Sequence, residues 1–211
     1  MTVTSSILAF TATAALMTMT PGLDTALVLR TAATEGPRRA ILASLGIGCG
    51  VLIWGAAAAI GLGALLAAST LAYTVLRWAG AAYLFYLGYG MLRHPRAVFD
   101  AGTARAGNAP ARLSENWFLR GMLTNLLNPK VGVFYVTFLP QFVPPTYAHP
   151  AALMLLFAAI HGVEGVSWFA TLTAATKALS RVLQRPGVVT RLDRLTGMVL
   201  IAFAAKLCFT V

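Results

Sequence analysis

The sequence predicts an all-α membrane protein. Six transmembrane helices are expected, arranged as two inverted three-helix repeats, with the first and fourth helices interrupted by proline. Three observations carry this. The 211 residues are 58% hydrophobic and only 10% charged, with a mean hydropathy of +0.76, where a soluble domain carries about 25% charged residues. Apolar segments near the ~20 residues of a helical crossing recur along the chain. Two of them hold a proline in their interior, in "MTPGLD" and "LLNPKVG".

So little polar surface cannot cover a globule in water, so the lipid bilayer is the expected solvent. A net charge of +10 would suit nucleic acid in a soluble protein, but here it reads as membrane topology and no nucleic-acid partner is expected. Cys49 and Cys208 lie in apolar runs without ligand spacing and are expected to pack rather than react. No cleavable signal is expected. "MTVTSSILAF" lacks a basic lead, and the apolar run continues to about residue 29, long for a signal core.

The spans fall at roughly 6–29, 40–68, 71–92, 118–142, 151–176 and 194–210. Long apolar runs without alternation are helices, because lipid offers the backbone no hydrogen bonds. One segment, 93–117, reads as a loop rich in Ala, Gly, Pro and Arg. The whole chain is therefore a single transmembrane domain. Its first repeat is expected over about 1–92, a cytoplasmic loop over about 93–117, and its second repeat over about 118–211.

Basic residues set the orientation. Arg30, Arg38 and Arg39 lie in or beside the first connection. Arg93, Arg96, Arg105, Arg112 and Arg120 flank the third, and Lys177, Arg181, Arg185, Arg191 and Arg194 the fifth. That places 13 of the 16 Lys and Arg on one side, while "AASTL" and "VPPTYAHP" have none. An excess of Lys and Arg marks cytoplasmic loops, so both termini are expected outside.

The chain also resembles itself. Setting "RWAGAAYLFYLGYGML" against "RLTGMVLIAFAAKLC" aligns Gly80 with Gly197, Arg77 with Arg194, Leu84 with Ile201 and Gly88 with Ala205. Repeats of three spans must sit with opposite topology. Broken spans at corresponding positions of two such repeats point to a transport site.

Each break has its own chemistry. Asn is a favoured cap and Pro fits the first helical position, so Asn128-Pro129 reads as a helix restarting inside the membrane. Thr20-Pro21 makes the same proposal for the first span, with Gly22 giving the backbone latitude. Two helix starts near the midplane present unpaired N–H groups and positive dipole ends, a site for a carboxylate. The plainer alternative is a simple kink whose freed carbonyls neighbouring helices satisfy.

Charges lie beside both breaks. Asp24 follows the first and Lys130 the second, while Glu164 sits about halfway along the fifth span with His161 on the same face. A central charge costs about 2.5–3.5 kcal/mol to insert, so such residues pair or line a polar path. Lys130 could pair with Asp24 or Glu164 as structural glue. Arg77 and Lys206, near span ends, are expected to snorkel. Gly46 and Gly50, four apart in "GIGCGVLIWG", suit close helix packing within a subunit or between subunits, which leaves a homo-oligomer open. "HGVEG" lacks the zinc-protease spacing and no phosphate-binding loop occurs, so no metal, cofactor or ATP coupling is expected.

"TPGLDTALVLRTAATEGPRRAILASLGIGCG", "WAGAAYLFYLGYGMLR" and "FLRGMLTNLLNPKVGVFYVTFLPQFV" together resemble the lysine exporter / homoserine–threonine exporter (LysE/RhtB) family of bacterial inner membranes. The resemblance runs in order along nearly the whole chain. It implies six spans, an inverted repeat, and efflux of amino acids or their derivatives driven by the proton gradient. The family's paired proline motifs carry over to Pro21 and Gly22, and to Asn128, Pro129 and Lys130. The family's first motif is Pro-Gly-Pro followed by Asn or Asp; here Leu23 replaces the second proline and Asp24 is kept.

The expectation is therefore a non-enzymatic, proton-coupled exporter of a small amino-acid-like substrate. The helix starts, Asn128 and Lys130 would take the substrate carboxylate. Asp24 would hold the ammonium group or exchange for a proton; Glu164 is the second candidate for the proton, because burial penalises the charged carboxylate. Export of a cation or another small metabolite on the same scaffold is the alternative within transport. A non-transporting membrane protein is the alternative outside it.

Overall fold

The computed structural model of the chain describes residues 2–68, 70–95, 116–144, 147–176 and 187–209. The described residues are helical, with no strand among them. Much of the 93–117 loop lies outside the described residues, as do Lys177, Arg181 and Arg185 of the fifth connection.

The first apolar run forms α1 (Val3–Met19) and α2 (Leu23–Thr34), which bend by 53° at the break between them. Gly36 ends α2 with φ +92°, and its N–H and that of Glu35 both return to the Thr31 carbonyl. This is a helix stop that favours glycine. Pro37 then opens α3 (Pro37–Ala68), where a missing N–H costs nothing. Arg39, one turn in, pairs with Glu35. Next come α4 (Thr70–Arg93) and α5 (Trp117–Leu126). After the second break α6 (Pro129–Val133) runs on through a π turn, Phe134–Phe138, and a 3-10 turn, Leu139–Phe142. The chain ends in α7 (Pro150–Ala174) and α8 (Val188–Phe209).

Pro37–Gly61 and Pro150–Ala174, 25 residues each, are long and apolar enough to cross a bilayer. At 1.5 Å per residue each exceeds the ~30 Å hydrocarbon core. The bent α1–α2 pair passes the same test when taken as one broken span. Leu8, Ile60 and Val163 are 66%, 75% and 68% exposed, an arrangement that fits lipid as the surrounding solvent.

Small residues set how the helices meet. A Cβ on Gly46 would collide with the Phe118 backbone, and one on Gly121 with the Ala43 backbone. Gly46 and Gly50 thus let α5 lie against α3, so their spacing serves packing within this chain. Gly48 and Gly55 face Val166 and Ala158, with α7 antiparallel to α3. Gly88 and Gly197 face each other where α4 crosses α8, again antiparallel, since Gly88 also reaches Ile201 while Gly197 reaches Leu92.

The largest differences from the expected bounds fall in the first and last spans. The first span extends over residues 3–34, beyond the 6–29 of its apolar core, because polar turns at both ends remain helical. The last helix starts at Val188 instead of 194. Its polar first turns include Asp193, which is 1% exposed, so they are drawn in by burial that hydropathy does not register.

The core divides into two clusters. One is aromatic: Phe10 stacks on Phe157 at 4.6 Å and meets Phe142 edge-on at 5.4 Å, with Phe134 and Phe138 alongside. The other gathers Val28, Leu29, Ile47, Phe169, Leu172 and Val189. Along α1–α2 and α7 the polar stretch falls between them.

Candidate functional site

The first break follows from Pro21. A residue before proline is pushed out of the helical region, and Thr20 is extended at φ −71°, ψ 115°. Its hydroxyl donates back to the Leu16 carbonyl at 2.8 Å and pairs with Thr196 of α8, so Thr20 closes α1. The helix resumes at Leu23 with Gly22 as its cap. Pro21 therefore lies in the link and does not take the first helical position expected of it. Gly22 is extended (φ −153°, ψ −160°), which any residue adopts, and a Cβ there would meet nothing within 4 Å. Its smallness leaves space. The first turn of α2 receives no side-chain cap.

The second break is built otherwise. Asn128 accepts the Lys130 N–H at 3.1 Å through its own Oδ1, and Pro129 takes the first helical position, as the sequence predicts. Lys130 reaches across to the first break, where its Nζ donates to the carbonyls of Met17 (2.9 Å) and Thr20 (3.3 Å). An ammonium group at a helix C-terminus satisfies orphan carbonyls and opposes the negative end of the dipole. These two hydrogen bonds tie the breaks together, while the Lys130 charge also acts on Asp24. The Asp24 carboxylate also has a hydrogen-bond donor of its own.

That donor is Asn125. Its Nδ2 gives a 2.9 Å hydrogen bond to Asp24 Oδ2, while Asp24 Oδ1 is buried without a partner among the described residues. Room for Asn125 comes from Gly50, whose Cβ would stand 2.7 Å from Asn125 Oδ1. Across from them His161 is held at both ring nitrogens, by Tyr135 Oη at 3.0 Å and Thr18 Oγ1 at 3.1 Å. Its ring also stacks on Tyr135.

These groups enclose a cavity of about 50 Å³ walled by both breaks and by α3 and α7. Sites for drug-sized ligands run to roughly 300–1,000 Å³. A cavity of this size holds only a small group unless its walls part. Of the residues singled out from sequence, Gly22, Asp24, Asn128, Lys130 and His161 line the cavity. Pro21 and Pro129 shape the breaks without forming its wall. Glu164 stands one turn along α7 from His161, outside the wall, with Oε2 buried and unpartnered among the described residues. Sequence reasoning missed Asn125, Thr18 and Tyr135. The one available signal was a second Asn in "TNLLNP", a single turn before Asn128.

The cavity thus pairs an acid with the uncapped start of a helix, at the break of a bent span. Residues 15–210 match the family described as LysE type translocator. A membrane protein of Bacillus subtilis, YrhP, is 32% identical over 206 residues, covering 95% of this chain and 97% of that protein. The threonine efflux protein of Escherichia coli K12 is 34% identical over 164 residues, 78% of each chain. The homoserine/homoserine lactone efflux protein of Salmonella typhimurium is 34% identical over 148 residues, 70% of this chain and 69% of that one. No solved structure matches with significance. Translocators of this kind are transporters and not enzymes, and the chain belongs to the LysE family.

Proposed function

We propose that this protein exports amino acids or close derivatives across the bacterial inner membrane by proton antiport. The observation that carries the reading is the cavity where the two broken spans meet. An amino acid brings an ammonium and a carboxylate, and the cavity offers a counterpart to each. Asp24, with one carboxylate oxygen unpartnered, takes the ammonium or a proton. The uncapped first turn of α2 takes the carboxylate, across from the wall that Asn128 and Lys130 hold. Relatives named for efflux of threonine and of homoserine support the substrate class.

The bundle has six crossings: α1–α2, α3, α4, α5 with the run from α6 to Phe142, α7, and α8. Two inverted repeats relate them. The contact of Gly88 with Gly197, which lie in the two segments that match each other, supports this. Both termini lie outside, on the strength of the basic connections. The proton gradient supplies the energy, with no cofactor or metal.

Purified protein in proteoliposomes tests the reading. Labelled threonine or homoserine is expected to accumulate against its gradient when a proton gradient is imposed. No movement of any amino acid under any imposed gradient would refute it.

A further inference from the structure

A second concavity lies on the outer face of the bundle. It is a groove of about 570 Å³ between α3 and α7, flanked by α5, within the roughly 300–1,000 Å³ of ligand sites. Leu45, Cys49 and Leu52 line it from α3, Ala159 and Val163 from α7, and Phe118 from α5. Gly48 and Gly162, both buried, form its floor and carry no side chain to fill it. Leu45, Leu52 and Val163 are exposed, and no lining residue is charged. In a bilayer such a groove opens to the acyl chains.

The α3 wall leads from the groove to a charge. Positions 38, 42, 45, 49 and 52 are spaced four and three apart, so they share one face of the helix. Leu42, also exposed, carries the apolar track on from Leu45, and Arg38 ends it. Arg38 is exposed and makes no hydrogen bond or ion pair among the described residues, whereas its neighbour Arg39 is paired with Glu35. Gly48 lies against Val166 and Gly55 against Ala158, a register that sets Arg38 level with the last turn of α7. The charge therefore stands where both helices leave the apolar layer. Leu52, near the middle of α3, is fourteen residues on, about 21 Å along the axis. Half a bilayer with its headgroups is roughly 20–22 Å. The track from Arg38 to Leu52 thus has the length of one lipid leaflet, with a cation at the headgroup end and an apolar channel below it.

We propose that the groove binds one anionic phospholipid, its phosphate against Arg38 and an acyl chain along α3 and α7 down to Leu52. The lipid belongs to the leaflet on the side of the basic connections. A second copy of the chain fits the groove less well. A two-fold axis along the membrane normal keeps both copies the same way up and brings the two Arg38 charges together at one depth, with no acid among the lining residues to separate them.

Full-length protein in phosphatidylcholine nanodiscs tests this with a trace of photoreactive lipid. The lipid carries a diazirine midway along one acyl chain and either a phosphatidylglycerol or a phosphatidylcholine headgroup, and the labelled peptides are mapped after illumination. Phosphatidylglycerol is expected to label residues 45–52 and 159–163 about fivefold more than phosphatidylcholine, the worth of one basic residue beside an anionic lipid. The exposed face of α4 around Val75 and Tyr86 serves as the reference and is expected to take both lipids alike. Arg38→Gln, at an exposed and unpaired position, should keep the unfolding midpoint and lose the preference. Equal labelling of the groove by both lipids, or a preference that survives Arg38→Gln, overturns the proposal. So does an unlabelled groove together with a Cys49–Cys49 disulfide on mild oxidation of the Cys208→Ser protein, which would place a second copy there.

Discussion

The two breaks look alike in sequence, each a proline inside an apolar run, yet they are built to opposite ends. The second is closed on itself. Asn128 caps its own helix, Pro129 occupies the position where a missing N–H is harmless, and Lys130 ties the restart to the carbonyls of Met17 and Thr20. The first is left open: Gly22 offers no cap, and among the described residues no side chain fills its space and Asp24 keeps one oxygen without a hydrogen bond. The difference teaches that a matched pair of breaks need not share one role. In the proposed reading the second holds the geometry while the first stays open for a ligand.

Substitutions at the two breaks sharpen that contrast. The largest effect is expected for Asp24→Asn, which keeps the shape while removing the charge that faces an ammonium group. A lost partner of this kind costs about 2–5 kcal/mol, so proton-driven export of labelled threonine should disappear while the protein still inserts and folds. Wild-type transport would remove Asp24 from the mechanism. Next comes Lys130→Met, which leaves two carbonyls at the end of α1 without this donor. Unfolding in detergent should show a loss of about 1–3 kcal/mol, and an unchanged midpoint would mean that the tie does not hold the breaks together. Asn128→Ala removes a cap and should cost about 1 kcal/mol, with transport reduced only as far as stability is.

The smallest stability change is expected for Gly22→Ala. The poorer cap and the stiffer unfolded chain offset each other to within roughly half a kcal/mol. Its added methyl enters the cavity, so transport should fall while the unfolding midpoint holds. The reverse pattern, a stability loss at Gly22 and a pure transport loss at Asn128, would invert the comparison.

Much of the fold was legible in the sequence because its signals are local. Apolar length marked Pro37–Gly61, Pro150–Ala174 and the bent α1–α2 pair, Pro21 and Pro129 marked the breaks, and Asn128 announced its own capping. What was not legible depends on partners far along the chain. Pro21 does not start a helix because Thr20 is extended and held by Leu16 and Thr196, and Thr196 is 176 residues away. Lys130 turns to carbonyls 110 and 113 residues distant. Asn125 holds Asp24 because Gly50 makes room, a three-way arrangement that no spacing rule encodes. The glycine pair of α3 could be read as packing from its spacing, but not that its partner would be α5.

The central claim is that substrate sits in the cavity beside the first break. It is tested most directly by placing a cysteine at Gly22, where the side chain has room, in a protein whose Cys49 and Cys208 are replaced by serine. Alkylation of that cysteine by a small thiol reagent is measured with and without threonine. The account predicts that threonine slows the reaction at concentrations that support transport. An alkylation rate unchanged by a transported amino acid would contradict it.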